Sequence, residues 1–225
     1  MLFDPDCIED TNLTRLVGAT AADVEAKRPK VEIASRVVKG VQPDAAVCAH
    51  QNRWQDQAEH LRCVDTIFGC VDSILCRQEL EVLSRRYRIP YIDVGTDVVP
   101  DGTGHRMYGQ AALSMAGGPC LFCQKVLSSN ALSIEGARYG SAGPRPQVVW
   151  ANGVLASSAV GIALDLMTGW SGDDGVFPFL TFDGNRGTVS ADPRRTYCPD
   201  TCIHYPETDL GDPKTVELRG TRSLV

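Results

Sequence analysis

The residues best suited to chemistry are two closely spaced pairs of cysteines in the second half of the chain. The first pair is Cys120 and Cys123, and the second is Cys198 and Cys202. Two such pairs, far apart in the sequence, are typical of a structural zinc site in which each pair supplies two thiolates of a tetrahedron. The sequence therefore predicts a zinc ion bound by these four cysteines, with His204 as a reserve ligand.

The alternatives for Cys120 and Cys123 are two plain core cysteines or a redox pair. A redox pair is disfavoured because Cys120 does not open a helix near a thioredoxin-like unit. The second pair is one residue longer than C-x2-C, a spacing that is still found among zinc ligands. Two matched pairs make zinc the better interpretation.

Polar side chains in the first third of the chain fall at or just after predicted strand ends, where an α/β sheet binds its ligands. They are Asp4 behind the first strand, Asn12 and Arg15 in the next loop, Lys30 at the start of a helix and Asp72 behind a buried strand. Such an acid can bind ribose hydroxyls, Arg and Lys can neutralise a triphosphate, and a further carboxylate can hold Mg²⁺. Singly, each could be a solvated charge or a capping residue. Together they predict a site for a magnesium nucleotide.

The elements that would position these residues alternate between strand and helix as far as Gly95. This order predicts an α/β fold with a Rossmann-like, mostly parallel sheet. A strand over 106–115 and a hairpin over 176–191 predict an antiparallel extension after it. A long loop is expected over 127–146, which is rich in Ser, Gly and Pro. The apolar run over 148–170 predicts a buried helix rather than a membrane span, because it contains polar residues and lacks basic flanks.

Two helices are expected beside the candidate residues. The first begins at Pro29, whose missing N–H would have no partner at a helix start. The second is expected over 74–87, with Ser73 as its N-cap. On that second helix Glu81 and Arg85 are four residues apart, which predicts an exposed ion pair.

Length and composition bound the class of protein. At 225 residues the chain can bury one core, so we expect one domain over 1–205 and a weakly ordered tail over 206–225. A formal net charge of −6 and a pI near 5.2 argue against a nucleic-acid-binding surface. The nine cysteines are an odd number and no signal peptide precedes them, so we expect reduced thiols in a cytoplasmic protein.

The order of these residues resembles the ThiF/MoeB/HesA family, the relatives of ubiquitin-activating enzymes. The resemblance covers nearly the whole chain. It is carried by Asp4 to Arg15, Lys27 to Glu32, Cys70 to Ser73 with Arg77, Pro90 to Gly95, and the two cysteine pairs. It implies ATP-dependent adenylation of the C-terminal carboxylate of a ubiquitin-like or sulfur-carrier protein, in which the carboxylate attacks the α-phosphorus of ATP and pyrophosphate leaves.

Carried over by motif, the resemblance implies a role for each candidate residue. Asp4 would bind ribose, Asn12, Arg15 and Lys30 would contact phosphates, and Asp72 would engage Mg²⁺ and the triphosphate. Arg15, Lys30 and Asp72 would be the catalytic residues, acting by orientation and charge neutralisation rather than as nucleophiles. The resemblance also implies structural zinc at the four cysteines and a homodimer.

The chain departs from the family pattern at its front end. Family members begin with a strand, a glycine-rich loop and a helix, whereas this sequence starts at the second strand and contains no G-x-G-x-x-G motif. We therefore expect the first βα unit to be missing, which would leave two strand edges unpaired.

These departures leave two alternative functions. One is a truncated, catalytically inactive, zinc-stabilised module that binds the carrier protein. A nicotinamide-dependent oxidoreductase is weaker, because it leaves the cysteine pairs and the charges of Arg15 and Lys30 unexplained. No cysteine lies between residues 124 and 197, where relatives that form a thioester usually place one. We therefore expect chemistry that stops at the adenylate.

Overall fold

The computed structural model of the protein describes residues 1–137, 148–172, 179–192 and 202–205. Two compact units can be separated by their internal contacts, and among the described residues the first covers Met1–Leu61 and the second begins at Arg62. Each unit has its own sheet and is described separately. The expected tail over 206–225 and the predicted zinc ligand Cys198 lie outside the described residues.

The first unit contains a short parallel sheet and two helices. Strands β1 (Leu2–Phe3) and β2 (Ala49–His50) pair in parallel. The helices are α1 (Ala21–Glu25) and α2 (Lys30–Val41), and 3₁₀ turns cover Asp10–Asn12 and Trp54–Cys63. Helix α2 begins directly after Pro29, close to the predicted start, and buries Val31 and Ile33.

A buried carboxylate ties α2 to the loop that precedes it. The side chain of Asp23 in α1 is 3% exposed and accepts hydrogen bonds from Arg36 Nη2 at 2.7 Å and from Arg28 Nε at 2.8 Å. Thr20 and Asp23 also cap α1 reciprocally, through Thr20 N–H and Asp23 N–H. The hydrogen bonds from Arg36, Thr20 and Arg28 hold the pKa of Asp23 well below its ordinary value. The start of α2 is therefore fixed by charged hydrogen bonds as well as by apolar packing.

The second unit contains a five-stranded mixed sheet in the order β3-β4-β5-β6-β7. Strands β3 (Ile67–Gly69) and β4 (Tyr91–Asp101) are parallel, and β5 (Gly104–Ser114), β6 (Phe179–Asp183) and β7 (Thr188–Ala191) continue the sheet in antiparallel order. Its helices are α3 (Ile74–Arg86), α4 (Ser129–Ala137) and α5 (Val149–Thr168). The predicted α/β class with an antiparallel extension is confirmed.

The segment predicted as a long loop over 127–146 begins instead with a helix. Residues 129–137 form α4, and Ser128 Oγ accepts a hydrogen bond from Ala131 N–H at 3.2 Å at the start of this helix. The serine that suggested a loop therefore acts as a helix cap, a position that serine also favours. Residues 138–147 lie outside the described part of the chain.

Helix α5 packs across β4 and β5 and forms the core of the second unit. Leu155 and Ala159 are buried against Ile92 and Leu113. Gly109 on β5 permits this approach, because a Cβ there would lie 2.4 Å from Leu155 Cδ1. Helix α5 is long and apolar enough to cross a membrane, because its mean hydropathy reaches 1.4 over an 18-residue window. Within the protein, 33% of that window is buried. Its contacts with the sheet are those of a core helix.

Helix α3 is capped as predicted, but its charged side chains are not where the sequence places them. Ser73 Oγ accepts a hydrogen bond from Cys76 N–H at 3.2 Å. The predicted exposed pair is wrong, because Glu81 is 0% exposed and Arg85 is 2% exposed. Both side chains turn toward the end of β5 and the chain after it, where hydrogen bonds replace the water that they lose.

Asp23→Asn should destabilise the first unit in a way that depends on pH. Its partners hold the folded-state pKa of Asp23 below the ordinary value of 3.8, so ionised Asp23 contributes stability above pH 4 that is lost progressively as the pH falls. We expect the variant to melt at a lower temperature than wild type at pH 7, and the difference to narrow between pH 4 and pH 2. Thermal unfolding followed by circular dichroism measures this.

The matched control for this prediction is Asp101→Asn, which changes an exposed acid at the end of β4. It should melt like wild type across the same pH range. A difference between wild type and Asp23→Asn that stays constant from pH 7 to pH 2 would contradict the role assigned to the carboxylate.

Candidate functional site

Two of the candidate residues on the segment between β1 and α2 share one partner. Asp4 follows β1, and its Oδ1 accepts a hydrogen bond from Asp6 N–H at 2.9 Å. Lys30 begins α2, and its Nζ forms an ion pair with Asp6 Oδ2 at 2.8 Å. Asp6 therefore links Asp4 to Lys30. Lys30 is held at the N-terminus of a 12-residue helix, where the helix dipole favours an anion.

Asn12 and Arg15 lie on the same segment and make local hydrogen bonds. Asn12 is 7% exposed, and its Oδ1 accepts a hydrogen bond from Glu9 N–H at 3.0 Å, which closes the 3₁₀ turn. Arg15 Nη1 donates to Thr11 O at 2.8 Å. The structure thus places four of the predicted nucleotide residues on one segment of the first unit, with Asn12 already used as a turn cap.

Asp72 lies in the second unit, between β3 and α3, and is exposed. It borders a cavity of about 740 Å³. The charged residues that line the cavity are Arg77, Arg106, Lys125, Asp72, Asp97 and Asp183. Carboxylates are preferred ligands of Mg²⁺, and Arg and Lys bind carboxylates and phosphates. The cavity can therefore accept an anion together with a divalent cation. Because Asp72 and the other four residues belong to different units, their convergence on one nucleotide stays a prediction.

Arg77 is fixed in this cavity by a buried acid. Its Nη1 donates to Asp93 Oδ2 at 2.5 Å, and Tyr91 O–H donates to Asp93 Oδ1 at 3.1 Å. Asp93 is 0% exposed, so burial raises its pKa, and the charge of Arg77 opposes that rise. Gly95 leaves room for the guanidinium, because a Cβ there would lie 2.8 Å from both of its terminal nitrogens. Arg77 is therefore held rigidly at the cavity wall.

The late part of the chain brings three cysteines and a histidine together. The ligand atoms of Cys120, Cys123, Cys202 and His204 all lie within 4.8 Å of one another. Cys123 Sγ is 3.8 Å from Cys202 Sγ, and His204 Nδ1 is 3.4 Å from Cys120 Sγ. Metal–sulfur bonds of about 2.3 Å in a tetrahedron place sulfurs about 3.8 Å apart. The cluster therefore has the donor set and the spacing of a four-coordinate metal centre.

The pKa of the Cys120 thiol is a property that a bound metal ion would change. Burial, and then the negative charge of Glu81, raise the pKa of Cys120 well above its ordinary value. A divalent cation would reverse this shift, because it stabilises the thiolate directly. Three of the predicted ligands are thus brought together with the reserve ligand His204, while Cys198 lies outside the described residues.

Sequence reasoning missed the partners that hold the site residues in place. Asp6 lies in the acidic segment after β1, and its alternation with Asp4 is the signal in the sequence that points to it. Asp93 interrupts the apolar strand around Ile92, and an acid in a buried strand requires a buried partner. That partner is Arg77, whose contact with Asp93 the sequence motif does not reveal.

Solved structures with a similar fold belong to MccB and PaaA. E. coli MccB with ATP matches at a TM-score of 0.60 and 18% identity, over 85% of this chain and 55% of that chain. E. coli MccB with AMPCPP and MccA matches at 0.63 and 18%, with the same coverage. PaaA matches at 0.60 and 13%, over 84% of this chain and 62% of that chain. The chain thus spans little more than half the length of these proteins, and the likeness establishes the fold.

No curated protein matches the sequence. The model of the ThiF family, in contrast, matches residues 1–200. This match includes every candidate nucleotide residue and three of the four cysteines in the two pairs. The chain therefore belongs to the ThiF family.

Proposed function

We propose that the protein uses magnesium ATP to adenylate the C-terminal carboxylate of a ubiquitin-like or sulfur-carrier protein. The observation that carries this proposal is the ThiF family match over residues 1–200. Two features of the site support it. Lys30 is held by Asp6 at the start of a helix, and Asp72 borders a cavity that Lys125 also lines. The crystal structure of E. coli MccB with ATP, which has a similar fold, supports ATP as the substrate.

In the proposed reaction, a carboxylate oxygen of the carrier's last residue attacks the α-phosphorus of ATP. A new P–O bond forms, the bond from the α-phosphorus to the bridging oxygen breaks, and pyrophosphate leaves with that electron pair. Both reactants are anions, so the protein lowers the barrier chiefly by neutralising and orienting them. Arg15 and Lys30 neutralise the phosphates with Asn12 as a further donor, Asp4 binds the ribose hydroxyls, and Asp72 holds Mg²⁺.

The extended C-terminal tail of the carrier binds in the cavity of the second unit. A volume of about 740 Å³ is within the range of sites that bury small ligands or short peptide ends. Arg106 and Lys125 at its wall attract the terminal carboxylate, and Arg77 adds a positive charge that Asp93 prevents from moving.

The alternative function is a zinc-stabilised module that binds the carrier protein without adenylating it. This binding module shares the cavity and the metal centre with the enzyme and differs in having no adenylation activity.

We propose that the cluster of three cysteines and His204 binds Zn²⁺ in a structural role. Thiolate and imidazole ligands select zinc over magnesium and calcium, and four protein ligands leave no position open for substrate. We also propose that the protein is cytoplasmic, where thiols stay reduced. The eight cysteines in the described part of the chain form no disulfide bonds, which is compatible with this proposal.

We further propose a homodimer formed through the exposed face of α5. Val160, Leu164 and Met167 lie on one side of this helix and are 50%, 48% and 64% exposed. Gly153 is exposed on the same side and would let a second helix approach closely. An exposed apolar face of this kind is typical of a protein–protein interface, and a second copy supplies an identical one.

Asp72→Ala and Lys30→Ala should each lower ATP–pyrophosphate exchange about a hundredfold, because each removes a charge that acts on the phosphates. The assay uses a purified carrier protein that ends in glycine, with Mg²⁺ and labelled pyrophosphate. Asp101→Ala and Lys39→Ala are matched controls, since both residues are exposed. Asp101 lies at the end of β4, and Lys39 lies in the last turn of α2. Exchange that is unaffected by Asp72→Ala would refute the role of Asp72. A wild-type chain that binds the carrier without exchange would support the binding module instead.

Metal analysis should find about one zinc per chain, and none after Cys120→Ser combined with Cys123→Ser. Cys63→Ser, at an exposed free thiol, should keep the zinc. His204→Ala should weaken zinc binding more than Cys198→Ser if the described cluster is complete. The reverse order would make Cys198 the fourth ligand.

Leu164→Glu combined with Met167→Glu should convert a dimer into a monomer, because two charges cannot be buried in an apolar interface. Light scattering after gel filtration should give twice the chain mass of 24.3 kDa for wild type and 24.3 kDa for the variant. Val41→Glu is the control, since Val41 is 84% exposed at the end of α2. A monomeric wild type, or a variant that remains dimeric, would exclude this interface.

A further inference from the structure

A buried glutamate on α3 binds both halves of the metal cluster. Glu81 Oε1 accepts hydrogen bonds from Leu121 N–H and from Ser114 O–H, each at 2.6 Å. Glu81 Oε2 accepts a hydrogen bond from Tyr205 O–H at 3.0 Å. Leu121 lies between Cys120 and Cys123. Two widely separated parts of the sequence thus meet on one carboxylate that is 0% exposed.

The second half of the cluster is reached through Tyr205, which directly follows His204. Its hydroxyl contacts Glu81, and its ring lies under the guanidinium of Arg85, whose carbon is 5.0 Å from the ring centre. The ring of His204 stacks on Phe122 with a centre-to-centre distance of 5.0 Å. Glu81 therefore belongs to a set of contacts that docks residues 202–205 onto the first cysteine pair.

Arg85 completes the support from the same helix. Its Nη1 donates to Met115 O at 2.7 Å and to Ser114 Oγ at 3.1 Å, and its Nη2 donates to Gly118 O at 3.3 Å. These bonds fix the turn that leads from β5 into Cys120. Burial raises the pKa of Glu81, while its hydrogen bonds and the nearby charge of Arg85 oppose that rise.

We propose that Glu81 is a positioning residue of the metal centre, which holds the two ligand-bearing segments together before the ion arrives. The inference rests on the metal centre proposed above. Hydrogen bonds one shell beyond the ligands orient them and are worth about 10–100-fold in metal affinity. Because Glu81 contacts no ligand atom, its loss should change how tightly the metal binds without changing which atoms bind it.

The test measures metal affinity of the full chain by competition with a chromogenic chelator. Glu81→Gln removes the charge and one acceptor, and Tyr205→Phe removes only the hydroxyl that Glu81 accepts. We expect Glu81→Gln to weaken Zn²⁺ binding about 10–100-fold and Tyr205→Phe to weaken it by a similar or smaller factor. The double variant should lose no more than Glu81→Gln alone, because both changes break the same contact.

Two further measurements separate positioning from folding and from ligation. The absorption spectrum of the Co²⁺-loaded protein should be the same in wild type and in both variants, since the three thiolates and the imidazole remain. Thermal unfolding of the metal-free protein should be nearly unchanged for Tyr205→Phe. Glu32→Gln and Tyr87→Phe are the matched controls, one on an exposed part of α2 and the other at the end of α3. Both should bind zinc like wild type.

The outcomes distinguish this inference from the proposal on which it rests. A wild-type protein that binds neither Zn²⁺ nor Co²⁺ would refute the metal centre itself. A wild type that binds metal, with Tyr205→Phe and Glu81→Gln within twofold of it, would overturn the role of Glu81 alone. If Glu81→Gln does not fold, Tyr205→Phe decides the question. A variant with lower metal-free stability and unchanged affinity would show a structural role and also overturn the inference.

Discussion

A carboxylate that is removed from water is costly by several kcal/mol unless charged or hydrogen-bonding partners surround it, and this constraint organises both units. Asp23, Asp93 and Glu81 are each at most 2% exposed. Asp23 and Asp93 each form an ion pair with an arginine. Glu81 accepts three hydrogen bonds and lies close to the arginine Arg85. Each lies beside a segment that carries candidate functional residues. The buried acids therefore specify where those segments must lie, which apolar packing alone would leave less defined.

Helix α3 connects the cavity to the metal centre. Arg77, Glu81 and Arg85 follow one another at intervals of four, so they lie along one face of the helix. The first of them lines the cavity, and the other two hold the chain around the cysteines. After the first cysteine pair the chain returns to the cavity at Lys125, in a left-handed conformation with φ of 59°. A shift of the metal-binding segment would therefore move the cavity wall at two places, Arg77 on α3 and Lys125 after the first cysteine pair.

The sequence predicts those features that depend on neighbouring residues. Ser73 caps α3, Pro29 precedes α2, and the late hairpin forms β6 and β7, because caps and turns follow from local composition. The same local reasoning fails for the serine-rich start of α4, since serine favours both loops and helix caps. It also fails for Glu81 and Arg85, whose four-residue spacing suits an exposed pair equally well. Only the position of β5 and of the chain after it shows that this face of α3 is covered.

The same distinction between local sequence signals and spatial contacts applies to the candidate site. The types and order of Asp4, Lys30 and Asp72 are visible in the sequence, because charged residues behind strands mark the ligand edge of an α/β sheet. The pairing of Lys30 with Asp6 and of Arg77 with Asp93 is not visible there, since it is decided by which segments meet in space. The metal cluster shows this most clearly. Spacing identifies the cysteines, but the contact between Glu81 and Tyr205 spans 124 residues and has no local signal.

The energetics of closing the metal-binding segment explain why a single hydroxyl can matter. Cys120 and His204 are 84 residues apart, and closing a free loop of that length costs about 4 kcal/mol. Because β6 pairs with β5 and β7 pairs with β6, only ten positions in the sequence separate Asp192 from Cys202, and closing a free chain of that length costs about 2 kcal/mol. A hydrogen bond to a charged group contributes about 1.5–3 kcal/mol. The bond from Tyr205 to Glu81 therefore roughly balances the closure cost, so the proposed ligands would be partly assembled before an ion binds, and most of the binding energy of that ion would remain for affinity.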